Sequence, residues 1–203
     1  LVDAELPVVA PIQNEHKVSL FEHNEFRFSL YPRKGGRAPE LDNLDNLFII
    51  GRFLCRIHKI GAARPFQYRP AIDSQSYGHD SDAYLKEHFI PEDLQTNYDS
   101  ITRQLLDHID STLDSTKNIT SIRVHGDCHI GNMLWRDELP HFIDFDDSRM
   151  APAVQDVWML LSGDQREQNI QLSEIIEGDN EFSVFNTQEL KLIESLRTLR
   201  MLY

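Results

Sequence analysis

Positive charge is what this chain is shortest of. Against 33 Asp and Glu it carries 20 Lys and Arg, a formal charge of −13 over 203 residues, and its pI is near 5.0. Phosphate backbones are held by clustered Lys and Arg, so the balance argues against a protein that grips nucleic acid by charge. Cysteine is equally scarce. Cys55 and Cys128 are the two present, too few for a disulfide framework, and a reducing cytoplasm is the expected compartment. No run approaches the ~18 apolar residues of a membrane-spanning helix, so no membrane partner is expected. There is no internal repeat and no low-complexity segment. What is present, 40% hydrophobic and 26% charged residues, suffices for a folded core.

The chain opens LVDAEL and closes RTLRMLY inside a helical pattern, and it reads as part of a longer protein. Residues 7–12, with two prolines, read as an extended edge segment. Alternation on both sides of EHNE predicts a hairpin with Val18, Leu20, Phe26, Phe28 and Leu30 on its apolar face. PRKGGRAP at 32–39 is a linker, and its Arg33, Lys34 and Arg37 read as solvated. Helical spacing then runs from Asp42 to Gly61, residues 62–79 are irregular and polar, and a second helix spans about Glu92 to Leu113. On that second helix Tyr98, Ile101, Leu105, Ile109 and Leu113 share one face, and Tyr98, Ile101 and Leu105 read as core. Short strand-like runs follow at Ser121–Val124, Asn132–Trp135 and His141–Phe145. Helical runs close the chain at Ala153–Ser162, Arg166–Glu177 and Thr187–Tyr203. Strands grouped rather than alternating with helices predict an α+β fold.

The chemistry concentrates in SIRVHGDCHIGNMLWRDELPHFIDFDDSR, residues 121–149. A strand enters His125-Gly-Asp127-Cys-His129-Ile-Gly-Asn132, which spells H-x-D-x-x-x-x-N, and a hairpin returns Asp144 to the same side. Phosphoryl transfer needs a carboxylate to orient and deprotonate a hydroxyl, and hard oxygen ligands to hold Mg²⁺ against phosphates. Asp127 and Asn132 on one loop, with Asp144 beside them, can supply both. The spacing is that of the kinase catalytic loop followed by D-F-G, with Gly126 in place of the loop Arg and Asp146 in place of the final Gly. Zinc is disfavoured, because His125, Cys128 and His129 form one cluster and Cys55 lies far off. A D-x-H phosphoesterase would need a downstream Asn-His pair that the chain lacks. Cys128 reads as a small buried residue rather than a reactive thiol. Asp146 and Asp147 are open between a metal contact and a capping or Arg149-pairing role.

HGDCHIGN with IDFDD resembles the aminoglycoside phosphotransferase and choline kinase superfamily, whose fold is protein-kinase-like. HGDCHIGNMLW, FIDFDDSRMAPAVQDVWMLLSGD, LPVVAPI and YPRKGGR are most similar to the bacterial stress response kinase A family, so the resemblance covers nearly the whole chain. It implies a cytoplasmic Ser/Thr protein kinase using ATP and Mg²⁺. Residues 1–31 would end the ATP-binding lobe and 32–203 would form most of the helical lobe. Carried over by residue, Asp127 is the catalytic base, His125 braces the loop from behind, and Asp156 in VQDVW accepts hydrogen bonds from the loop backbone. Asn132 and Asp144 are the Mg²⁺ ligands, and Leu30-Tyr31-Pro32 is the hinge facing adenine. The phosphate-covering loop and the Lys–Glu pair of a kinase would precede Leu1. The expected partners are ATP and a protein Ser or Thr, and the oligomeric state is left open with a monomer favoured. A small alcohol as acceptor is the alternative. If Leu1 is the true start, a non-catalytic pseudokinase is the third reading.

Overall fold

The computed structural model describes every residue except Lys117. Helix α1, Leu44–Gly61, begins where the Asn43 side chain accepts the Asp45 N–H at 3.0 Å. Its buried face carries Leu47, Ile50, Leu54 and Ile57. Helix α5, Gln165–Asn180, starts on a capping box in which Asp164 and Glu167 satisfy each other's backbone N–H groups. The two helices cross where neither has a side chain. A Cβ on Gly51 would lie 2.1 Å from the Ile175 carbonyl oxygen, and one on Gly178 would lie 2.1 Å from that of Phe48. At the far end of α1, the Arg123 guanidinium donates to the Ile60 carbonyl at 3.0 Å, fixing the helix to the strand that leads into residue 125.

The strands form three separate antiparallel pairs rather than one sheet. β1, Phe21–His23, pairs with β2, Phe26–Phe28, through a turn whose Asn24 and Glu25 both have positive φ. β3, Ile122–Val124, pairs with β6, Arg149–Ala151, and inside that pair is nested the hairpin of β4, Met133–Arg136, and β5, Leu139–Phe142. The nesting turns the loops 125–132 and 143–148 to the same end. The extended 7–12 segment does lie at an edge: Val8 bridges to Phe142, with the Phe142 N–H donating to the Pro7 carbonyl at 2.8 Å. Arg37 closes the other edge against Trp135.

Helix α2, Asp80–His88, follows a wide π-helical turn at Ser74–His79, so the polar stretch read as irregular is ordered in its last third. Helix α3 spans Glu92–Ser115. Helix α4 is short, Val154–Trp158, and a 3₁₀ turn at Thr187–Leu192 precedes helix α6, Ile193–Leu202. The expected helices at 153–162 and 187–203 are therefore each shorter than their apolar pattern.

Two expectations about burial fail. Ile101 is 60% exposed, Leu105 is also exposed, and Tyr98 is half-buried. The core takes the adjacent stripe of Thr102, Leu106 and Ile109, where Leu106 and Leu199 of α6 both close over the bare Cα of Gly78. The hairpin face of Val18, Leu20, Phe26, Phe28 and Leu30 is exposed, Phe26 to 77%. β1 and β2 pair with each other alone, so among the described residues no second layer covers them.

Because α1 and α5 meet backbone to backbone, Gly51→Ala or Gly178→Ala is expected to destabilise by about 1–3 kcal/mol or more, the usual range for overpacking. Urea unfolding reads this as a lower midpoint with little change in slope.

Candidate active site

The loop after β3 is shaped by one buried carboxylate. Asp156, on α4 and fully buried, accepts the His125 N–H on Oδ2 and the Gly126 N–H on Oδ1, each at 2.9 Å. The neighbouring Gln155 amide donates to the Gly126 carbonyl at 3.1 Å. Gly126 has φ +87°, and a Cβ there would stand 2.1 Å from the Asp147 carbonyl oxygen. That close approach explains why glycine stands where kinases carry arginine. The His125 ring lies against Phe145, with centroids 4.5 Å apart. His125 Nε2 donates to the Ile143 carbonyl at 2.8 Å, which leaves Nδ1 as the acceptor facing the Asp127 N–H at 3.4 Å. His125 thus ties residue 127 to the strand leading into Asp144.

Asp127 and Asn132 are brought together. The Asn132 side-chain amide donates to the Asp127 backbone carbonyl at 3.0 Å and to Oδ2 at 3.2 Å. With Nδ2 committed to two acceptors, Asn132 Oδ1 is left as a free hard oxygen. The Ile143 N–H donates to the Asn132 carbonyl at 3.0 Å, which sets Asp144 next to this pair. Asp144 itself has φ +59°. His129 accepts the Gly131 N–H on Nδ1, so its Nε2 carries the proton, 3.5 Å from Asp127 Oδ2.

Asp144 and Asp146 line a cavity of about 570 Å³ together with Tyr31, Pro32, Arg33, Lys34 and Arg69. Tyr31 and Pro32 reach it. Leu30 does not line it, and the Leu30 carbonyl is taken by the Ile12 N–H at 2.7 Å. Arg33 and Lys34 are exposed in a stretch without secondary structure, as a solvated linker would be, and they also border the cavity. Asp147 pairs with Arg149 at 3.7 Å. Cys128 is buried, and burial followed by the charges of Asp156 and Asp127 pushes its thiol well above the ordinary range, so it is not a reactive thiolate.

Three residues of the site carry no signal in the motif. Arg69, from the stretch read as irregular, donates through Nη1 to the carbonyls of Asp146 at 2.5 Å and Ser148 at 3.0 Å, and so fixes the segment after Asp144. Arg200, on α6, places Nη2 2.5 Å from Asp127 Oδ1. His58, on the buried face of α1, donates to Asp156 Oδ2 at 2.9 Å. A histidine at an apolar-spaced helical position could have drawn attention to His58; the two arginines are linked to the loop by the fold alone.

His58 sits among acids. Burial pulls its pKa down, but the hydrogen bond and charge of Asp156, with the charges of Asp179 and Glu189, outweigh it and raise the net value. For Asp156 burial acts upward, and His58, His125 and the Gly126 N–H bring its pKa below the usual carboxylate value. Asp179 and Glu189 are themselves raised, chiefly by burial.

The chain belongs to the phosphotransferase enzyme family, whose profile matches residues 1–193. Its relatives include stress response kinase A of Escherichia coli K12, 42% identical over the whole chain, and the serine/threonine protein kinase RdoA of Salmonella typhimurium LT2, 40% identical. The chain spans 61% of the length of both. Among solved structures, amicoumacin kinase hAmiN in complex with AMP-PNP, Ca²⁺ and Ami superposes with a TM-score of 0.77 at 18% identity, covering 99% of this chain and 64% of that one. A microcompartment-associated aminopropanol kinase gives a TM-score of 0.70 at 15% identity, covering 99% of this chain and 67% of that one. The α+β, aminoglycoside-phosphotransferase-like fold expected from the sequence is thereby established.

The His58–Asp156 pair generates a pH prediction. With its pKa raised on folding, His58 stabilises fully below the unfolded imidazole value of about 6.5, and the contribution fades as pH rises through the higher folded value. Asp156, with its pKa lowered, stabilises above about 3.9 and loses this as pH falls through its folded value. His58→Gln is therefore expected to lower the Tm most between about pH 4.5 and 6.5 and least in alkaline buffer. A Tm difference independent of pH would contradict the pairing.

Proposed function

We propose that this chain carries the catalytic half of a kinase that transfers the γ-phosphoryl group of ATP to a hydroxyl. The observation that supports it most is the convergence of Asp127, Asn132 and Asp144 at one end of the nested hairpins, beside a cavity of about 570 Å³. In this reading residues 1–31 end the ATP-binding lobe, 32–203 form the helical lobe, and Tyr31-Pro32 is the hinge edge of the nucleotide site. The setting is cytoplasmic, in keeping with two free buried cysteines. No described helix is long and apolar enough to cross a membrane.

The donor set suits Mg²⁺. Among the described residues no group of three or more His, Cys, Asp or Glu converges as a metal cage. Mg²⁺ is ordinarily held by one or two protein oxygens together with substrate phosphates. Asn132 Oδ1 and the Asp144 carboxylate would hold it, and when bound it offsets charge developing on the phosphates. Asp127 accepts the proton of the acceptor hydroxyl while the acceptor oxygen bonds to the γ-phosphorus. The bond from that phosphorus to the bridging oxygen breaks, and its electron pair leaves with ADP. His125 and Asp156 touch neither substrate; they hold the backbone that aims Asp127.

A protein Ser or Thr is the acceptor in this reading, in line with the relative named a serine/threonine protein kinase. A small alcohol is the second reading, favoured by the likeness to kinases named for amicoumacin and aminopropanol. Incubation with γ-labelled ATP and Mg²⁺, with a generic protein in one tube and small alcohols in another, separates them. Asp127→Asn is expected to reduce transfer by about 10³-fold or more while nucleotide binding stays near that of the parent. Asp144→Asn is expected to weaken Mg·ATP binding itself. Equal activity of Asp127→Asn and the parent would remove Asp127 as the base.

A further inference from the structure

The geometry points to Arg200 as the residue that sets the charge preference of the acceptor site, selecting hydroxyls flanked by acidic groups over hydroxyls flanked by cations. The inference rests on the reading of Asp127 as the base and deepens it.

Asp127 is surrounded by donors. Arg200 Nη2 meets Oδ1 at 2.5 Å, the Asn132 amide meets Oδ2 at 3.2 Å, and His129 Nε2 lies 3.5 Å from the same oxygen. No acidic side chain other than its own is among these contacts. The carboxylate and the guanidinium remain partly open, at 17% and 29% side-chain exposure, so an incoming hydroxyl can reach one and sense the other. A hydroxyl bonded to Asp127 at ordinary distance stands within about 5–6 Å of a group bonded to the other oxygen of the same carboxylate. An arginine is charged at every physiological pH, so that group is a permanent cation.

The position of Arg200 is set by packing. Leu196 and Leu199 bury one face of α6, and Tyr203 stacks on Tyr77 with ring centroids 4.0 Å apart, which leaves Arg200 turned toward the catalytic loop. Two other arginines are engaged elsewhere. Arg197 pairs with Glu194 at 2.8 Å and lies over the Trp158 ring, and Arg149 pairs with Asp147. Among the described residues Arg200 is thus the guanidinium seen in contact with Asp127. With its charge offset there, Asp127 gives no net attraction to an ammonium beside the acceptor hydroxyl, whereas a carboxylate or phosphate beside it meets Arg200 and the His129 N–H. The preference runs against the overall charge of −13, which by itself would draw basic acceptors.

The test uses the whole protein with γ-labelled ATP, Mg²⁺ and two otherwise identical serine peptides, one flanked by Glu and one by Lys, with aminopropanol as a third acceptor. The parent is expected to have the higher kcat/KM on the Glu-flanked peptide. Arg200→Gln is expected to cut the Glu-to-Lys preference by about tenfold, and Arg200→Lys to restore most of it. The KM for ATP should be the same in all three proteins, which shows that any loss is not one of folding. A preference unchanged in Arg200→Gln, a parent that favours the Lys-flanked peptide or aminopropanol, or an equal gain on every acceptor in Arg200→Gln would each overturn the inference and leave the kinase reading standing. Transfer by the parent to none of the three acceptors would overturn the kinase reading, and this inference with it.

Discussion

The shape of the loop after β3 depends on the carboxylate of Asp156. It is fully buried, so its charge must be met by donors, and the donors available are the N–H groups of His125 and Gly126 and the ring of His58. Those three contacts join α4, the catalytic loop and α1 in one network. Satisfying the carboxylate forces the loop into a single shape, and that shape forces Gly126 to φ +87° against the Asp147 carbonyl. The residue before Asp127 is therefore selected by a buried carboxylate on another element. A loop of this kind is rigid because relaxing it would strand a buried charge, a larger penalty than any single hydrogen bond repays.

Nesting one hairpin inside another does the rest. β3 and β6 fix the two ends of the segment, and β4 and β5 fold its middle back on itself, so residues 127, 132 and 144 meet without the chain leaving the neighbourhood. Tyr31 and Pro32 come to the same cavity as Asp144 because the extended 7–12 segment and Arg37 each add to an edge of the inner hairpin. Asp127 does not line that cavity; its open contacts are with Arg200 and His129. The cavity and the open side of Asp127 therefore lie on either side of the Asp127–Asn132 hydrogen bonds.

Much of this was legible in the residues. H-x-D-x-x-x-x-N followed by a hairpin and an Asp is a local pattern, because base, amide and carboxylate lie on a short length of chain whose turns are written in the sequence. Helices α1 and α3 declared themselves by their apolar period. What was hidden depends on distance in the sequence. Arg69 and Arg200 reach the loop across the fold, and neither is marked by spacing. The face of α3 was misjudged because two stripes share Ile109, and the approach of Leu106 to Gly78, a contact far off in sequence, favours the other one. The β1–β2 hairpin alternates as a half-buried strand pair should, yet its apolar face is open, since alternation reports a capacity for burial and not the presence of a covering layer.

The central claim is that Asn132 and Asp144 meet the metal and phosphates while Asp127 faces the transferring group. A crystal grown with a non-hydrolysable ATP analogue and Mn²⁺ in place of Mg²⁺ tests it most directly, because the anomalous signal of Mn²⁺ locates the ion independently of the phosphates. The account predicts the ion on Asn132 Oδ1 and the Asp144 carboxylate, adenine beside Tyr31 and Pro32, and the γ-phosphate directed at Asp127. Nucleotide seated away from Tyr31, or Mn²⁺ held by neither Asn132 nor Asp144, would contradict it.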